Sequence, residues 1–444
     1  MGRYSVHSPI KRPLPHARSI LKAAYMPTRQ LFHHPRTLQR RRLRNLLRLT
    51  DILTAVLSGL IALAVTRETF FLTDLGLWLL SALLGWLLSR RPRSAIPLDA
   101  YSQVLMAPLL AGGIHLTWTF FVDRAVGPID AALPAIIWLM GMAVTRLQFR
   151  RATPPLLVGL MPGEHDDLPL SDRIQYVSID EPDLKALDNI EGLVLNPRSP
   201  QMQGWFDFFM HVHAAGLPVW TDAMLNEEVT GRATLRYLQT SHMNQVVHVS
   251  PYAPYKRLLD IAAVLLFAPM LLLIGGIVAL VVLIDSDRPV LLFQERVGQH
   301  NRRFRIAKFR TMRTDSERNG AAFATIQDSR VTRVGAVMRK LRLDELPQFW
   351  NVLRGDMSII GPRPEQATFV DKFNGEIHLY KIRHWVKPGI TGWAQVMHGY
   401  AADATATMDK IRYDVYYIKH FGFWLDASIV AKTLWTIATG FGAR

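Results

Sequence analysis

Asp344 and Glu345 form an acidic pair inside a basic segment, RKLRLDELPQFWNVLR, that begins at Arg339. Proline is well tolerated in the first turn of a helix, so Pro347 predicts that both carboxylates lie at or just before a helix start. Exposed backbone amides and the helix dipole stabilise negative charge there. An isolated pair of this kind commonly caps a helix. The basic residues Arg339 and Arg342 immediately upstream instead favour a reactive site for an anionic substrate.

Arg363 lies between Pro362 and Pro364 in the segment IGPRPE, one helix and a turn after the acidic pair. The prolines restrict the backbone on both sides, so they hold the guanidinium on a stiff, extended loop at little entropic cost. A rigid arginine is suited to bidentate contact with phosphate. The alternative is a turn that anchors an internal salt bridge. We predict that Pro362, Arg363 and Pro364 belong to a phosphate-binding site.

The segment FRIAKFRTM, from Phe304 to Met312, alternates apolar and basic residues. A period of two is typical of a strand or an extended edge. Such a strand can line a site, and Lys308 and Arg310 are its candidate phosphate-binding residues.

The size and charge of the whole chain narrow the classes of function. Its 444 residues are enough for two or three cores, and its formal net charge is +16. Because the chain also contains apolar runs long enough for a bilayer, the basic surplus favours anionic inner-membrane lipids and phosphorylated ligands. Nucleic acid is disfavoured, since no recognition motif is present. The absence of cysteine excludes disulfides and thiolate chemistry.

A basic tail at residues 1–48 precedes four apolar segments, which predict a bundle of four membrane-spanning helices in residues 49–150. The segments lie at about 49–66, 75–89, 102–122 and 129–145. Arginines are concentrated after the second and fourth segments, whereas each of the other two loops carries one arginine beside an acid. This alternation fits the positive-inside rule with both ends in the cytoplasm. A soluble bundle of buried helices is the alternative that the charge pattern disfavours.

Residues 151–247 alternate short apolar runs with polar or helix-like stretches, which is typical of a small α/β domain. The runs are Leu156 to Leu160, Tyr176 to Ile179, Gly192 to Leu195 and Leu217 to Trp220. The turn from Gly159 to Gly163 lacks the glycine spacing of a dinucleotide fingerprint. A structural or regulatory module is therefore preferred, and cofactor binding is the second interpretation.

The longest apolar run, about residues 258–284, is interrupted near its middle by Pro269. A helix of this length could span a bilayer. A crossing would place the basic segment after Asp285 outside the cytoplasm, away from nucleotide-activated substrates. We therefore predict a re-entrant helix that enters the inner leaflet, breaks near Ala268 and Pro269, and returns. An ordinary fifth crossing with a proline kink is the alternative.

Several long motifs, taken in order, strongly resemble the monotopic polyprenyl-phosphate phosphoglycosyl transferases, a family of bacterial sugar transferases. They are KR-x-x-D from Lys256, FRTM from Phe309, LDELPQFWNVLRGDMSIIGPRP from Leu343, KPGITGWAQV from Lys387 and YDVYYIKHFGFWLD from Tyr413. The resemblance covers about residues 250–444 and implies a phosphoglycosyl transferase domain at 248–444. The upstream segments resemble the long form of the family, as in undecaprenyl-phosphate glucose or galactose phosphotransferases.

The resemblance implies that a sugar 1-phosphate passes from a UDP-sugar to undecaprenyl phosphate by a ping-pong mechanism, with release of UMP. This step would start exopolysaccharide, capsule or O-antigen repeat synthesis. Asp344 matches the nucleophile, which would carry the phosphosugar as a covalent aspartyl intermediate. Glu345 matches the partner carboxylate associated with Mg²⁺, so Asp344 and Glu345 are the expected metal site. Arg339 and Arg363 match arginines that contact phosphate.

Two departures from the family pattern concern the bend and the end of the KPGITGWAQV motif. Ala268 stands where a serine usually precedes the bend proline. Met397, His398, Gly399 and Tyr400 stand where many members have a glycine-arginine pair. A histidine alone is more often a local hydrogen-bonding residue than a catalytic base.

The predicted fold is thus a mixed membrane protein of the bacterial inner membrane. It combines a four-helix membrane bundle, a small Rossmann-like α/β domain in the cytosol, and an α-rich catalytic domain with a re-entrant helix and interfacial helices. The aromatic-rich stretch after Tyr413 supplies the interfacial helices, or alternatively packs the domain core. Glucose or galactose is the preferred sugar, an acetamido sugar is open, and the accessory domains are consistent with a homodimer. A catalytically silent membrane scaffold for polysaccharide assembly is the alternative function.

Overall fold

The computed structural model describes residues 35–65, 72–88, 101–121, 128–235, 251–285, 289–312, 330–398 and 404–439, apart from positions 166, 184–186, 188–189, 198, 201, 215 and 378. The chain divides into two compact units. The first contains Met1–Leu53 and Val144–Leu225, and the second contains Thr54–Ala143 and Asn226–Arg444. Most of the predicted basic tail lies outside the described residues, as do three of the four loops that predicted the orientation.

Helices occupy all four predicted N-terminal positions: α1 (Pro35–Val65), α2 (Leu72–Leu88), α3 (Tyr101–Phe121) and α4 (Pro128–Ala152). By length and composition, Leu38–Val65 in α1 and Ile129–Ala152 in α4 could cross a membrane, and α2 is a shorter apolar helix. The helical positions are therefore confirmed, and the four crossings stay a prediction.

In the second unit, tryptophans and alanines fill the space between these helices. Trp78 donates from Nε1 to the Ala55 carbonyl oxygen at 3.0 Å, and its ring meets Trp138 edge-on, with centroids 5.8 Å apart. The outward faces stay apolar, since Leu83 is 50% and Met140 is 65% exposed. Large exposed apolar faces on long helices are typical of lipid contact, and the protein is membrane-associated.

A four-stranded parallel sheet in the first unit confirms the predicted small α/β fold. Its strands are β1 (Leu156–Leu160), β2 (Ile174–Ser178), β3 (Gly192–Leu195) and β4 (Val219–Thr221), in the order β2-β1-β3-β4. The helices α5 (Met202–Ala214) and α6 (Asp222–Thr230) flank β4 in sequence. The boundaries 151–247 stay a prediction.

Two buried ion pairs hold the helix ends of the first unit. Arg40 on α1 pairs with Glu191, next to β3, and donates from Nη2 to the Pro154 carbonyl oxygen at 2.8 Å. Arg146 on α4 forms a bidentate pair with Asp51 on α1, at 2.7 and 2.8 Å. The basic start of α1 is therefore fixed to the sheet and is not a free extension.

The rest of the second unit is rich in helices around two small sheets. Its elements are α7 (Tyr252–Asp285), β5 (Leu291–Val297), β6 (Arg303–Phe309), α8 (Arg333–Lys340), α9 (Gln348–Arg354), β7 (Ser358–Ile360), α10 (Ala367–Glu376), β8 (Gly389–Thr391), α11 (Trp393–Met397), α12 (Ala404–Lys419) and α13 (Phe423–Thr439). β5 and β6 form an antiparallel hairpin, and β7 pairs with β8 in parallel. β6 confirms the strand that alternation predicted at Phe304 to Met312.

A short segment before α7 completes this core. Gly231 has a φ of +67°, and its carbonyl oxygen accepts from Trp393 Nε1 at 2.8 Å. Arg232 donates to the Tyr413 hydroxyl at 2.9 Å, and Ala233 is buried among α12 side chains. This core thus includes residues upstream of 248, and the predicted domain boundary stays a prediction.

α7 runs as one helix through Ala268 and Pro269. The helix is therefore not divided into two at these residues, and the predicted re-entrant bend near Ala268 and Pro269 stays a prediction. A proline can be accommodated in this way because it removes one backbone hydrogen bond while its neighbours continue the helix.

Both ends of α7 pack against the rest of the second unit. Near its start, Lys256 pairs with Asp426 at 2.6 Å, and Asp260 accepts from the Ile359 amide at 3.2 Å. Near its end, Val278 and Val282 are buried in one cluster with residues of β6 and α8. The intervening face is open, as at Leu272, which is 76% exposed.

Asn351 joins α9 to β6. Its Oδ1 accepts from the Ala307 amide at 3.0 Å, and its Nδ2 donates to the Arg305 carbonyl oxygen at 2.8 Å. The side chain is 2% exposed. This contact holds the strand that carries Lys308 against the helix that follows the acidic pair.

We expect Asn351→Ala to lower the free energy of unfolding by about 2 to 4 kcal/mol, because it leaves a buried donor and a buried acceptor without partners. The measurement is the thermal unfolding midpoint of the detergent-solubilised protein. Lys372→Ala on α10, where the side chain is 61% exposed, is the matched control and should leave the midpoint unchanged. Equal midpoints for the two variants would contradict the assigned bridge.

Candidate active site

The acidic pair lies in a single 3₁₀ turn, Leu343–Glu345, directly before Pro347 and α9. Arg342 opens the turn in the left-handed conformation, with φ at +56°, and its carbonyl oxygen accepts from the Glu345 amide at 3.2 Å. The predicted position of both carboxylates just before a helix start is confirmed. The turn directs Glu345 inward, where it is 5% exposed, while Asp344 stays partly exposed.

Glu345 is paired with the arginine of the proline-flanked loop. Its Oε1 accepts from Arg363 Nη2 at 2.8 Å, and Arg342 Nη1 lies 3.7 Å from its Oε2. Burial opposes the charged form, but Arg363, Lys308 and Arg342 outweigh it and hold the pKa of Glu345 below its ordinary range. Glu345 is therefore a buried, charged carboxylate.

Asp344 is shifted in the opposite direction. Burial raises the pKa of Asp344 first, and the neighbouring charge of Glu345 adds to the rise, against the influence of Lys308, Arg363 and Arg339. Two adjacent carboxylates thus differ in protonation behaviour because one of them takes the direct ion pair.

The other predicted cations surround this turn. Lys308 on β6 is partly buried, and burial, followed by the charge of Arg363, lowers its pKa to about 8. Arg339 at the end of α8 donates from Nε to Thr311 Oγ1 at 2.9 Å and lies close enough to Asp344 to lower its pKa. Arg310 directly follows β6, where its amide donates to the Val290 carbonyl oxygen at 3.0 Å. Phosphate contact by these three residues stays a prediction.

The loop that carries Arg363 is held through its own backbone. Five carbonyl oxygens along it accept hydrogen bonds: Ile360 from the Tyr417 hydroxyl, Pro362 from the Gly389 amide, Arg363 from the Arg383 side chain, Pro364 from the Arg296 side chain and Glu365 from the Val297 amide. The predicted stiffness of the proline-flanked loop is therefore strengthened by partners from four separate segments.

Three glycines let the loop meet the KPGITGWAQV segment backbone to backbone. A Cβ on Gly389 would lie 2.0 Å from the Gly361 nitrogen, and one on Gly392 would lie 2.1 Å from the Gly361 oxygen. Any side chain at these positions would push β7 and β8 apart. The IGPRPE loop and the KPGITGWAQV segment therefore pack directly against each other, which the sequence alone did not indicate.

Several residues of the site were outside the predicted set. Arg342 was noted beside the acidic pair in the sequence but was not assigned a role in the site. Arg383 is buried and Arg296 is partly buried; both reach the loop from distant segments, and nothing in their local sequence marks them. His398 lies 3.9 Å from Asp409 and edge-on to Tyr413, whereas Gly399 and Tyr400 lie outside the described residues.

The acidic pair suits a magnesium ion that is shared with a phosphorylated substrate. Magnesium is commonly held by one or two carboxylates, with water and substrate phosphate completing its coordination. Glu345 Oε2 is buried and accepts no hydrogen bond from the described residues. Those residues contain no cluster of three or more histidine, cysteine or acidic side chains for an ion held by protein alone. The donor set therefore fits Mg²⁺ with substrate present.

Comparison with known proteins identifies the family. Residues 251–440 match the family described as bacterial sugar transferase. The chain is 46% identical over 296 residues to a UDP-N-acetylgalactosamine-undecaprenyl-phosphate N-acetylgalactosaminephosphotransferase of Aeromonas hydrophila, covering 66% of this chain and 70% of that protein. It is 38% identical over 193 residues to a UDP-glucose:undecaprenyl-phosphate glucose-1-phosphate transferase of Escherichia coli K12, covering 42% of this chain and 41% of that protein.

A third relative is the galactosyl transferase CpsE of Streptococcus agalactiae, 39% identical over 203 residues, which are 43% of each chain. The matches to the Escherichia coli and Streptococcus proteins span less than half of those chains, whereas the match to the Aeromonas protein extends well upstream of the family region. The chain belongs to the bacterial sugar transferase family and is a polyprenyl-phosphate phosphoglycosyl transferase, an enzyme that transfers sugar phosphate.

Proposed function

We propose that the enzyme transfers a sugar 1-phosphate from a UDP-sugar to undecaprenyl phosphate and releases UMP, as the first step of a polysaccharide repeat. The observation that carries the proposal is the partly exposed Asp344 beside a charged Glu345 that is paired with Arg363 on a rigid loop. The names of the relatives support the acceptor and the reaction class.

In the first half-reaction, the Asp344 carboxylate attacks the phosphorus that carries the sugar. A bond forms between an aspartyl oxygen and phosphorus, and the bond from phosphorus to the bridging oxygen of UMP breaks. Arg363, Lys308 and Arg339 hold the phosphate oxygens and neutralise their charge, which is the main requirement of phosphoryl transfer. UMP leaves with the electron pair of the broken bond.

In the second half-reaction, a phosphate oxygen of undecaprenyl phosphate attacks the same phosphorus. The aspartyl ester bond breaks, Asp344 returns as a carboxylate, and the product is an undecaprenyl diphosphate sugar. A carboxylate nucleophile is suited to this role because it divides one difficult transfer into two easier steps. Arg363 can contact the phosphate in both half-reactions, because 38% of its side chain is exposed while its Nη2 contacts Glu345.

Asp344 and Glu345 would hold Mg²⁺ together with the donor. When bound, the ion would neutralise the diphosphate and so assist departure of UMP.

The covalent step is tested by trapping the intermediate. Purified protein is incubated with Mg²⁺ and a donor radiolabelled in its sugar, without lipid acceptor. We expect label on the wild type and none on Asp344→Asn, because an amide lacks the nucleophilic charge. Asp371→Asn, on the exposed face of α10, is the matched control and should trap label normally. Equal label on Asp344→Asn and wild type would reject Asp344 as the nucleophile.

We further propose that the donor sugar is N-acetylgalactosamine. The Aeromonas relative, which is named for this sugar, is 46% identical, and the match covers 70% of that protein. The Escherichia coli relative, which is named for glucose, is 38% identical, and the match covers 41% of that protein. This choice replaces glucose or galactose, which the resemblance to long-form members favoured, with the acetamido sugar that it left open.

We expect kcat/KM for UDP-N-acetylgalactosamine to exceed that for UDP-glucose by at least about tenfold, because a site built for a polar acetamido group discriminates against a ligand that lacks it. The measurement is UMP release with each UDP-sugar at a fixed concentration of undecaprenyl phosphate. A higher kcat/KM for UDP-glucose or UDP-galactose would overturn this choice of sugar and leave the reaction class intact.

We propose that the catalytic domain and both termini face the cytoplasm and that α7 is re-entrant in the inner membrane. Asp260 and Val282 are separated by about 33 Å along a straight helix, close to the thickness of the hydrocarbon core. Both are packed against one polar catalytic fold. If α7 crossed the bilayer, that fold would have to reach through the hydrocarbon core, which polar groups strongly oppose.

A reporter fused after Arg444 tests this topology. We expect an alkaline phosphatase fusion to be inactive and a green fluorescent protein fusion to fluoresce, as both do in the cytoplasm. The same fusions placed after Leu88, in the predicted cytoplasmic loop, are the matched reference. Alkaline phosphatase activity at Arg444 alone would show that α7 crosses the membrane.

A further inference from the structure

Arg383 is a buried arginine that touches the loop of Arg363 from behind. It lies in the 3₁₀ segment Tyr380–Trp385 and is 5% exposed. Its Nη2 donates to the Arg363 carbonyl oxygen at 2.9 Å and lies 3.0 Å from Asp414 Oδ2. Its Nη1 donates to the Tyr380 hydroxyl at 2.8 Å. One guanidinium thus joins the loop to α12 and to its own segment.

Among the charged groups around Arg383, Asp414 is buried and the others are partly buried. Asp414 is 1% exposed, and Glu365 lies 4.0 Å from Arg383, 4.0 Å from Lys410 and 3.8 Å from Arg296. Burying so many charges costs free energy unless each has a partner, and an apolar cluster of the same volume is often as stable. These charged groups are therefore better explained as holding the Arg363 loop in one position than as stabilising the folded protein.

Pro364 narrows the range of the Arg363 backbone, and the contact with Arg383 fixes the direction of the Arg363 carbonyl within that range. Pro362 and Pro364 restrict the backbone on both sides, and the orientation of the Arg363 carbonyl sets the direction of the intervening peptide plane. Arg383 fixes that carbonyl. A displacement of about 1 Å at a phosphate-binding group can cost on the order of a hundredfold in rate.

We propose that Arg383 is a positioning residue: its buried guanidinium, held by Asp414 and Tyr380, fixes the Arg363 backbone so that the Arg363 side chain meets both Glu345 and the donor phosphate. Arg383 does not contact substrate. This inference rests on the proposed role of Arg363 in binding phosphate.

The test is a double-mutant cycle in the full-length protein with Arg383→Lys and Arg363→Ala. Lysine keeps the positive charge but cannot contact Arg363, Asp414 and Tyr380 together. We expect Arg383→Lys to lower kcat/KM for the UDP-sugar by about ten- to a hundredfold in the wild-type background. In the Arg363→Ala background the same change should lower it by less than about twofold, because residues acting as one unit are not additive. A radiolabelled donor makes low rates measurable.

Arg412→Lys is the matched control, since Arg412 on α12 is 45% exposed and pairs with Asp409 at 3.5 Å. It should leave kcat/KM unchanged. Thermal unfolding of each variant shows that it is folded. If Arg383→Lys does not yield folded protein, Tyr380→Phe replaces it, because it removes one anchor of Arg383 and leaves the Arg363 carbonyl contact in place.

Equal losses from the Arg383 change in both backgrounds, or no loss in the wild type, would overturn the positioning role. A different result addresses the proposed function itself: wild-type kcat/KM in Arg363→Ala alone would remove Arg363 from phosphate binding, whatever the effect of Arg383→Lys. The two failures are therefore distinguishable in one set of measurements.

Discussion

The ion pair between Glu345 and Arg363 is the interaction on which the reactive centre depends. A carboxylate as buried as Glu345 would ordinarily become neutral, and the arginine keeps it charged. The pairing also leaves Asp344 as the carboxylate that is more exposed and less tightly bound. Because a large part of the Arg363 side chain remains exposed, the same guanidinium can contact Glu345 and a phosphate at once.

Arg363 can keep Glu345 charged only if it stays in place when a ligand binds or leaves. The fold prevents this by tying successive carbonyl oxygens of the loop to β5, β8, α12 and the segment of Arg383. The glycines of β7 and β8 then bring the loop and the KPGITGWAQV segment into direct backbone contact. The Arg363 loop is thereby held in place by the protein itself, which is what a preorganised electrostatic site requires.

Local patterns in the sequence predicted the local geometry. Pro347 predicted the helix start beside the acidic pair, alternation predicted β6, and four short apolar runs predicted the small α/β fold. Each of these depends on residues a few positions apart. The hydrogen bonds that hold the Arg363 loop were not predictable in the same way, because Arg296, Arg383 and Tyr417 come together only in the folded chain. The contact of Gly361 with Gly389 has the same origin, since it requires two distant backbones to meet.

A single proline is not enough to establish the path of α7 in the membrane. Pro269 predicted a bend, and the helix continues through it, because a long apolar helix can keep its remaining backbone hydrogen bonds around a proline. The evidence for a helix that returns lies instead in its two ends, Asp260 and Val282, which contact one catalytic fold. Those contacts are tertiary, and hydropathy carries no information about them.

We propose that Asp344 becomes covalently bonded to the phosphosugar. Peptide mass spectrometry of the wild-type enzyme, quenched within seconds of mixing with UDP-sugar and Mg²⁺ in the absence of acceptor, tests it most directly. We expect the peptide that contains Asp344 to gain the mass of one sugar phosphate and to lose it when undecaprenyl phosphate is added. An unmodified peptide in an enzyme that turns over normally once acceptor is supplied would contradict it.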